Sequence, residues 1–185
     1  MRKPLPELII WGGTGNFKVL CELLKDDYSI VGFFDNNPAL PAEYRGVPNL
    51  GTQAAFDTWI GQLDGLEKPA FIVSIGPGHG AVRLEIHDML QASGLNPITA
   101  VHRTAFVAEN ASLGAGTQVY ANATISVDTQ IGKGCIINTR ASIDHLRREG
   151  SRERRHAESH RLYGPDEDDV SDPTEGIVLD DELRL

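Results

Sequence analysis

Apolar residues follow two different rhythms along this chain, and the change between them near residue 100 divides it. In the first part, short apolar runs alternate with stretches of helical period. Residues 8–11, 29–34 and 70–75 read as strands, and residues 98–101 as a last one. Between them, residues 17–24 place Val19, Leu20, Leu23 and Leu24 on one helical face. After a loop at 45–51, Thr52 looks like the N-cap of a helix carrying Ala55, Trp59 and Leu63. A further helix at 81–92 is expected to bury Val82, Ile86, Met89 and Leu90. Strands alternating with helices of this length predict an α/β unit with a parallel sheet and right-handed crossovers.

From Val107 the rhythm becomes strict. Seven six-residue units run VAENAS, LGAGTQ, VYANAT, ISVDTQ, IGKGCI, INTRAS and IDHLRR, each opened by an aliphatic residue. Four places after the opener come small or β-branched residues: Ala111, Thr117, Ala123, Thr129, Cys135 and Ala141. Neither a helix nor an ordinary strand has period six. A left-handed parallel β-helix built of hexapeptide repeats does, each hexad forming one flat face of a triangular coil. Openers then point into the narrow prism, while small residues and Gly114, Gly116, Gly132 and Gly134 let the chain turn.

Charge changes the picture of the C-terminus. The net charge is −9, and residues 146–185 alone carry 7 basic and 12 acidic residues. That segment has no hexads and few apolar residues, so a disordered charged tail is expected. The acidic balance argues against a nucleic-acid partner. No window approaches a membrane span and no signal-peptide pattern opens the chain, which predicts a cytoplasmic protein without a membrane partner. Cys21 and Cys135 have neither disulfide nor metal-ligand spacing, and both read as small buried hydrophobes. No metal site is expected.

Candidate chemistry sits where the strands end. In a parallel sheet, ligands lie beyond the carboxyl ends of the strands, and three polar or Gly-rich clusters fall there, at residues 12–16, 35–37 and 76–80. The first is a Gly-rich turn before a helix, where backbone N–H groups and the helix dipole favour a phosphate, although a tight turn without a ligand explains the glycines equally well. Asp35 is placed to accept hydrogen bonds from a ribose or base, and an Asp-Asn turn is as natural a reading. Their coincidence at one sheet edge favours a nucleotide. His79 reads as a solvated loop histidine.

Taken together, GGTGNFK, FFDNN, RGVPNLGT, VSIGPG and the run from AVHRTAF to NTRASIDH resemble the bacterial nucleotide-sugar acetyltransferases. These include the sialic acid O-acetyltransferase type and the UDP-4-amino-sugar N-acetyltransferase type of bacillosamine and perosamine synthesis. The resemblance covers residues 8–145. It implies a Rossmann-like nucleotide-sugar-binding domain over residues 1–102, a β-helix stub over 103–145 and a tail over 146–185. It further implies a homotrimer, acetyl-CoA as co-substrate bound between neighbouring β-helices, and a histidine general base.

Carried over by position, Thr14, Gly15 and Asn16 match the phosphate-contacting turn, Asp35 and Asn36 the acidic pair at the nucleoside, and Gly76 a substrate-contacting glycine. His145 matches the base, which would take a proton from the sugar amine or hydroxyl as it attacks the thioester, work that suits an imidazole. Two departures stand out. The family's base is followed by an acidic residue that orients it, and here Leu146 follows. The coils that would carry the acetyl-CoA contacts are replaced by the charged tail, as truncation or a frameshift after residue 145 would produce. Codons can be chosen for the tail such that restoring two nucleotides returns an acidic residue after the histidine and valines at the next two hexad openings. The sequence thus predicts an acetyltransferase lineage with impaired activity, beside two alternatives: a nucleotide-sugar-binding remnant without chemistry, and a structural or interaction protein.

Overall fold

The computed structural model describes residues 4–76, 78–145, 148–149 and 178–179. They form two compact units, one of residues Met1–Gly76 with Glu85–Ile98 and the other of residues Pro77–Leu84 with Thr99–Leu185.

The first unit is built on a six-stranded sheet. Its strands are β1 (Glu7–Trp11), β2 (Ser29–Phe34), β3 (Glu43–Tyr44), β4 (Val47–Gly51), β5 (Ala70–Val73) and β6 (Asn96–Pro97), in the spatial order β3-β4-β2-β1-β5-β6. All pairings are parallel except the β3–β4 hairpin. The helices are α1 (Gly15–Leu24), α2 (Gln53–Gln62) and α3 (Gly80–Ala92), the last belonging to this unit from Glu85 on. The chain steps from β1 outward to β2, then returns past β1 to β5, so the direction of winding reverses beside β1. Right-handed crossovers then put helices on both faces. The core agrees: Phe17 of α1 packs on Phe33, with ring centroids 4.5 Å apart. The residues that alternate with Phe33, namely Ile9, Trp11, Phe34, Phe71 and Val73, form one cluster with Phe56 of α2 and Leu90 of α3.

Three local expectations are corrected. The loop expected at 45–51 contains a strand, β4, reached through a two-residue hairpin turn in which Arg45 and Gly46 both take positive φ, 49° and 83°. Val19 and Val82 are half exposed, and the buried face of α3 is Arg83, Leu84, His87 and Leu90. That stripe has helical spacing, but two polar residues in it hid it from an apolar pattern. The strand expected at 98–101 is two elements: the sheet ends on β6, and Ala100–Val101 is the first rung of the coil.

In the second unit the two-residue strands β7 (Ala100–Val101), β8 (Phe106–Val107), β9 (Ser112–Leu113), β10 (Gln118–Val119), β11 (Thr124–Ile125), β12 (Gln130–Ile131), β13 (Ile136–Ile137) and β14 (Ser142–Ile143) recur every six residues. From β7 to β12 each pairs in parallel with the strand 18 residues on, giving three narrow sheets and a three-sided parallel β-helix. The interior holds the openers Val119, Ile125, Ile131, Ile137 and Ile143 together with the small residues Ala123, Cys135 and Ala141. Thr117 and Thr129 are fully buried at the same small-residue position, and their hydroxyls donate to the carbonyls of Gly132 (2.9 Å) and Asp144 (3.2 Å). Backbone rungs also continue past His145: β15 (Arg148–Glu149) pairs with β12, and β16 (Val178–Leu179) with β13. The rest of the expected tail lies outside the described residues.

The corners separate Gly116 and Gly134 from Gly114. Positive φ falls at Gly116, Asn122, Asp128, Gly134 and Arg140, three places after successive openers. Gly114 is needed for another reason: a Cβ there would lie 2.4 Å from backbone atoms of Gly132 and Lys133 on the next coil. It is a packing glycine, not a turn residue.

Candidate functional site

The sheet edge expected to hold a ligand is assembled from the ends of β1, β2 and β5. Gly12 follows β1 with φ 105°, and its N–H donates to Phe34 O at 2.7 Å. A Cβ at Gly12 would sit 2.5 Å from Ser74 Oγ, and one at Gly13 would run into Phe33 and Leu40. Packing alone therefore demands both glycines. Gly15 differs, since a Cβ there meets nothing within 4 Å and its φ is ordinary. Thr14 precedes α1 in a non-helical conformation, exposed, and its hydroxyl makes no capping bond. The first turn of α1 thus presents its N–H groups at an open, glycine-lined edge, beside Thr14, Gly15 and Asn16.

Asp35 closes this turn from the neighbouring strand. Its Oδ2 accepts from Gly13 N–H at 2.7 Å, and its Oδ1 accepts from Asn37 N–H at 2.8 Å. Asp35 thus makes the local Asp-x-Asn turn, one of its two readings, and in addition braces the Gly-rich loop. Each carboxylate oxygen retains a second lone-pair direction for another donor. Asn36 has a structural task as well, since its Oδ1 accepts from Gln53 N–H at 2.9 Å and so caps α2, where the Thr52 side chain makes no cap bond. Gly76 lies beyond β5, and a Cβ there would meet open space.

Sequence reasoning missed Ser74. It is buried, with its Oγ 2.6 Å from Gly12 O and 3.0 Å from Trp11 O, so it ties the end of β5 to the Gly-rich turn. A serine ending an apolar strand inside VSIGPG was the available signal.

The remaining candidate belongs to the coil. His145 lies two residues beyond the end of β14 and is exposed. Its Nδ1 lies 2.7 Å from Asp144 Oδ1, and the same oxygen accepts its backbone N–H at 2.7 Å. Also in this unit, Arg83 is fully buried and its Nε donates to Gly134 O at 2.6 Å. Burial lowers the pKa of its guanidinium from the usual range, and the nearby Cys135 and Tyr120 act to raise it. Among the described residues no group of three potential metal ligands gathers, and no helix is long and apolar enough to cross a membrane.

No protein-family model matches the chain, and no curated protein does. Solved structures do. A mutant of GDP-perosamine N-acetyltransferase from Caulobacter crescentus, in complex with CoA and GDP-perosamine, matches with a TM-score of 0.69 and 29% identity over 78% of this chain and 66% of that one. PerB from the same organism, in complex with the same two molecules, matches with a TM-score of 0.67 and 31% identity, with the same coverage. In fold the chain is similar to these hexapeptide-repeat nucleotide-sugar acetyltransferases. The acetyltransferase domain of PglB from Neisseria gonorrhoeae, in complex with acetyl coenzyme A, is a third neighbour, with a TM-score of 0.61 and 25% identity over 76% of this chain and 65% of that one. The chain therefore spans slightly less than two thirds of these acetyltransferases. Their common coil is the left-handed β-helix that the hexads predicted.

Proposed function

We propose that the sheet unit is a Rossmann-like domain that holds the nucleotide of a nucleotide-linked sugar, and that His145 serves as general base in acetyl transfer to that sugar. The observation that carries the reading is the 2.7 Å bond from Gly13 N–H to Asp35 Oδ2, which locks a Gly-rich turn at the head of α1 beside a carboxylate. Thr14, Gly15 and Asn16 would meet the phosphates through backbone N–H groups at the positive end of the helix dipole. Asp35 would accept from the nucleoside, Asn36 would hold the Asp35 loop against α2, and Gly76 would leave room for the substrate. Similarity in fold supports this assignment, since the neighbours from Caulobacter crescentus were crystallised with GDP-perosamine.

Acetyl-CoA, when bound, would supply an acyl carbon open to attack by the sugar amine or hydroxyl. His145 would take the proton released by the attacking group, at Nε2, because Nδ1 faces Asp144. Residues 146–185 do not spell the coils to which the resemblance assigns the acyl carrier, so turnover is expected to be slow. A homotrimer in the cytoplasm belongs to the same reading, and light scattering on the purified chain would measure the assembly.

Calorimetric titration with GDP-perosamine, UDP-sugars and CMP-sialic acid tests the binding half. Saturable heat with one of them is expected, weakened at least roughly tenfold in Asp35→Ala, which loses both bracing bonds. No heat with any of them refutes the reading and favours a structural protein. A second reading, binding without chemistry, has its own support: the whole nucleotide cluster lies within residues 12–76. Thiol release from acetyl-CoA in the presence of the bound sugar distinguishes the two.

A further inference from the structure

We propose that Asp144 is the positioning residue for His145, holding the proton on Nδ1 and leaving the Nε2 lone pair as the base. In its consequence for chemistry this rests on the acetyl-transfer reading; the proton's position does not. The resemblance looks for an orienting carboxylate after the histidine, where this chain has Leu146. The structure offers one on the other side.

The geometry builds outward from the coil. Ile143 is fully buried, and its strand is held in register by Thr124↔Ser142 and Ile125↔Ile143. Ser126 N–H donates to Ile143 O at 3.0 Å, and the buried Thr129 hydroxyl donates to Asp144 O at 3.2 Å. The backbone on which Asp144 stands is therefore held at two successive carbonyls, those of Ile143 and Asp144. From that base, a single carboxylate oxygen, Oδ1, faces both the backbone N–H and the ring Nδ1 of His145, each at 2.7 Å. The backbone contact fixes the carboxylate rotamer, and the carboxylate then fixes the ring.

Chemistry settles the direction of the second bond. An ionised carboxylate only accepts, so Nδ1 must carry the proton. In a neutral imidazole the other nitrogen is then a pure acceptor, and its availability is set by the partner of the first. The proton delivered by the attacking amine or hydroxyl would thus end on Nε2, giving an imidazolium whose charge lies beside Asp144, the arrangement by which a buried Asp serves the triad histidine. Here both side chains are exposed, with relative accessibilities of 60% for His145 and 68% for Asp144, so the pair acts through orientation and tautomer rather than through bond strength.

The test is a long-range nitrogen–proton correlation spectrum of the full chain labelled with ¹⁵N-histidine, at a pH where the imidazoles are neutral. His145 is assigned by its loss in His145→Gln. The expected result is Nδ1–H as the major His145 tautomer, with the ratio shifting several-fold towards Nε2–H in Asp144→Ala and partly in Asp144→Asn. Unchanged His102 signals show that the coil remains folded. If Asp144→Ala does not fold, the ratio in Asp144→Asn decides alone. Nε2–H as the major form in the parent chain, or a ratio unmoved by both substitutions, overturns the proposal. Where thiol release is measurable, kcat should fall at least roughly tenfold in Asp144→Ala with KM unchanged. A parent chain with no thiol release removes the acetyl-transfer reading and leaves the tautomer result standing, so the two failures are separable.

Discussion

The sheet unit and the coil solve the same burial problem with opposite means. In the sheet unit Trp11, Phe34, Phe56 and Trp59 interlock, with Phe34 at 5.7 Å from Trp11, 5.3 Å from Phe56 and 5.4 Å from Trp59 by ring centroid. Each ring touches partners distant in sequence, so the core is a three-dimensional lock. In the coil the core cluster contains no aromatic residue, and each hexad adds one aliphatic opener and one small residue to a column one side chain wide. The contrast teaches where damage should spread. A closed core fails as a whole, whereas a column whose repeats touch only their neighbours fails locally and along its axis.

Phe34→Ala should therefore have the largest effect, a loss of about 3–5 kcal/mol, from deletion of a fully buried ring. Ile125→Ala removes a fully buried opener and should cost about 2–5 kcal/mol. Denaturant titration gives the totals, and amide hydrogen exchange tests the comparison. Protection should fall throughout the sheet for Phe34→Ala, but mainly on the rungs bordering β11 for Ile125→Ala. Uniform loss in both would mean that the coil is as cooperative as the sheet.

Glycines sharpen the same contrast at lower cost. Gly114→Ala must push a methyl into the Gly132–Lys133 backbone and should destabilise by about 1–3 kcal/mol. Gly15→Ala meets nothing in the sheet unit and should leave stability unchanged or raised by up to about 1 kcal/mol. Nucleotide-sugar affinity should instead fall, because the methyl enters the proposed phosphate path. Thermal melts with and without the nucleotide-sugar separate the two effects, and an unaltered affinity would count against the placement of the phosphates.

The two regions were also unequally legible. Hexads are a one-dimensional code, so openers and small residues could be placed from the sequence to the exact residue, and the rungs fall on them. The code begins one hexad earlier than the apolar run suggested, at Val101 with Ala105 four places on, because a histidine and an arginine follow the opener there. In the sheet unit, the strands entering Gly12, Asp35 and Ser74 were readable because apolar runs end abruptly at polar or Gly-rich turns. What makes the candidate site rigid was not readable, since Gly13–Asp35, Ser74–Gly12 and Asn36–Gln53 join residues 17 to 62 positions apart. No local pattern encodes such pairings. Arg83 and His87 were missed for a related reason, as polar residues are buried only where distant partners satisfy them.

Corner residues offer a smaller, opposite-signed test. Arg140 takes φ 63° at the position where Gly116 and Gly134 serve other hexads. The left-handed region disfavours a residue with a Cβ, and Asn tolerates it better than Arg does. Arg140→Asn should therefore stabilise the coil by about 0.5 kcal/mol, read as a small rise in Tm. A fall would show that the Arg140 side chain makes a contact worth more than the relief of strain.

The two cysteines give the mildest comparison and a pH dependence with a definite sign. Cys135 is 1% exposed inside the coil, so access alone shields it. Cys21 on α1 is only half-buried, but burial raises its thiol pKa from 9.0 to about 11, against a smaller lowering by Arg45. Only the thiolate is a good nucleophile, so Cys21 should resist iodoacetamide at pH 8 and react increasingly above pH 10, while Cys135 stays unmodified in the folded chain. The linkage follows from the same shift. The folded state binds the thiol proton more tightly than the unfolded chain, so this contribution to stability is fully present below pH 9 and is lost as pH rises towards 11. In Cys21→Ala that increment of alkaline sensitivity should disappear, whereas Cys135→Ala should lower stability by a similar amount at every pH below 9. If Cys21 alkylates readily at pH 8, α1 packs on the sheet more loosely than its buried Phe17, Leu20 and Leu24 require.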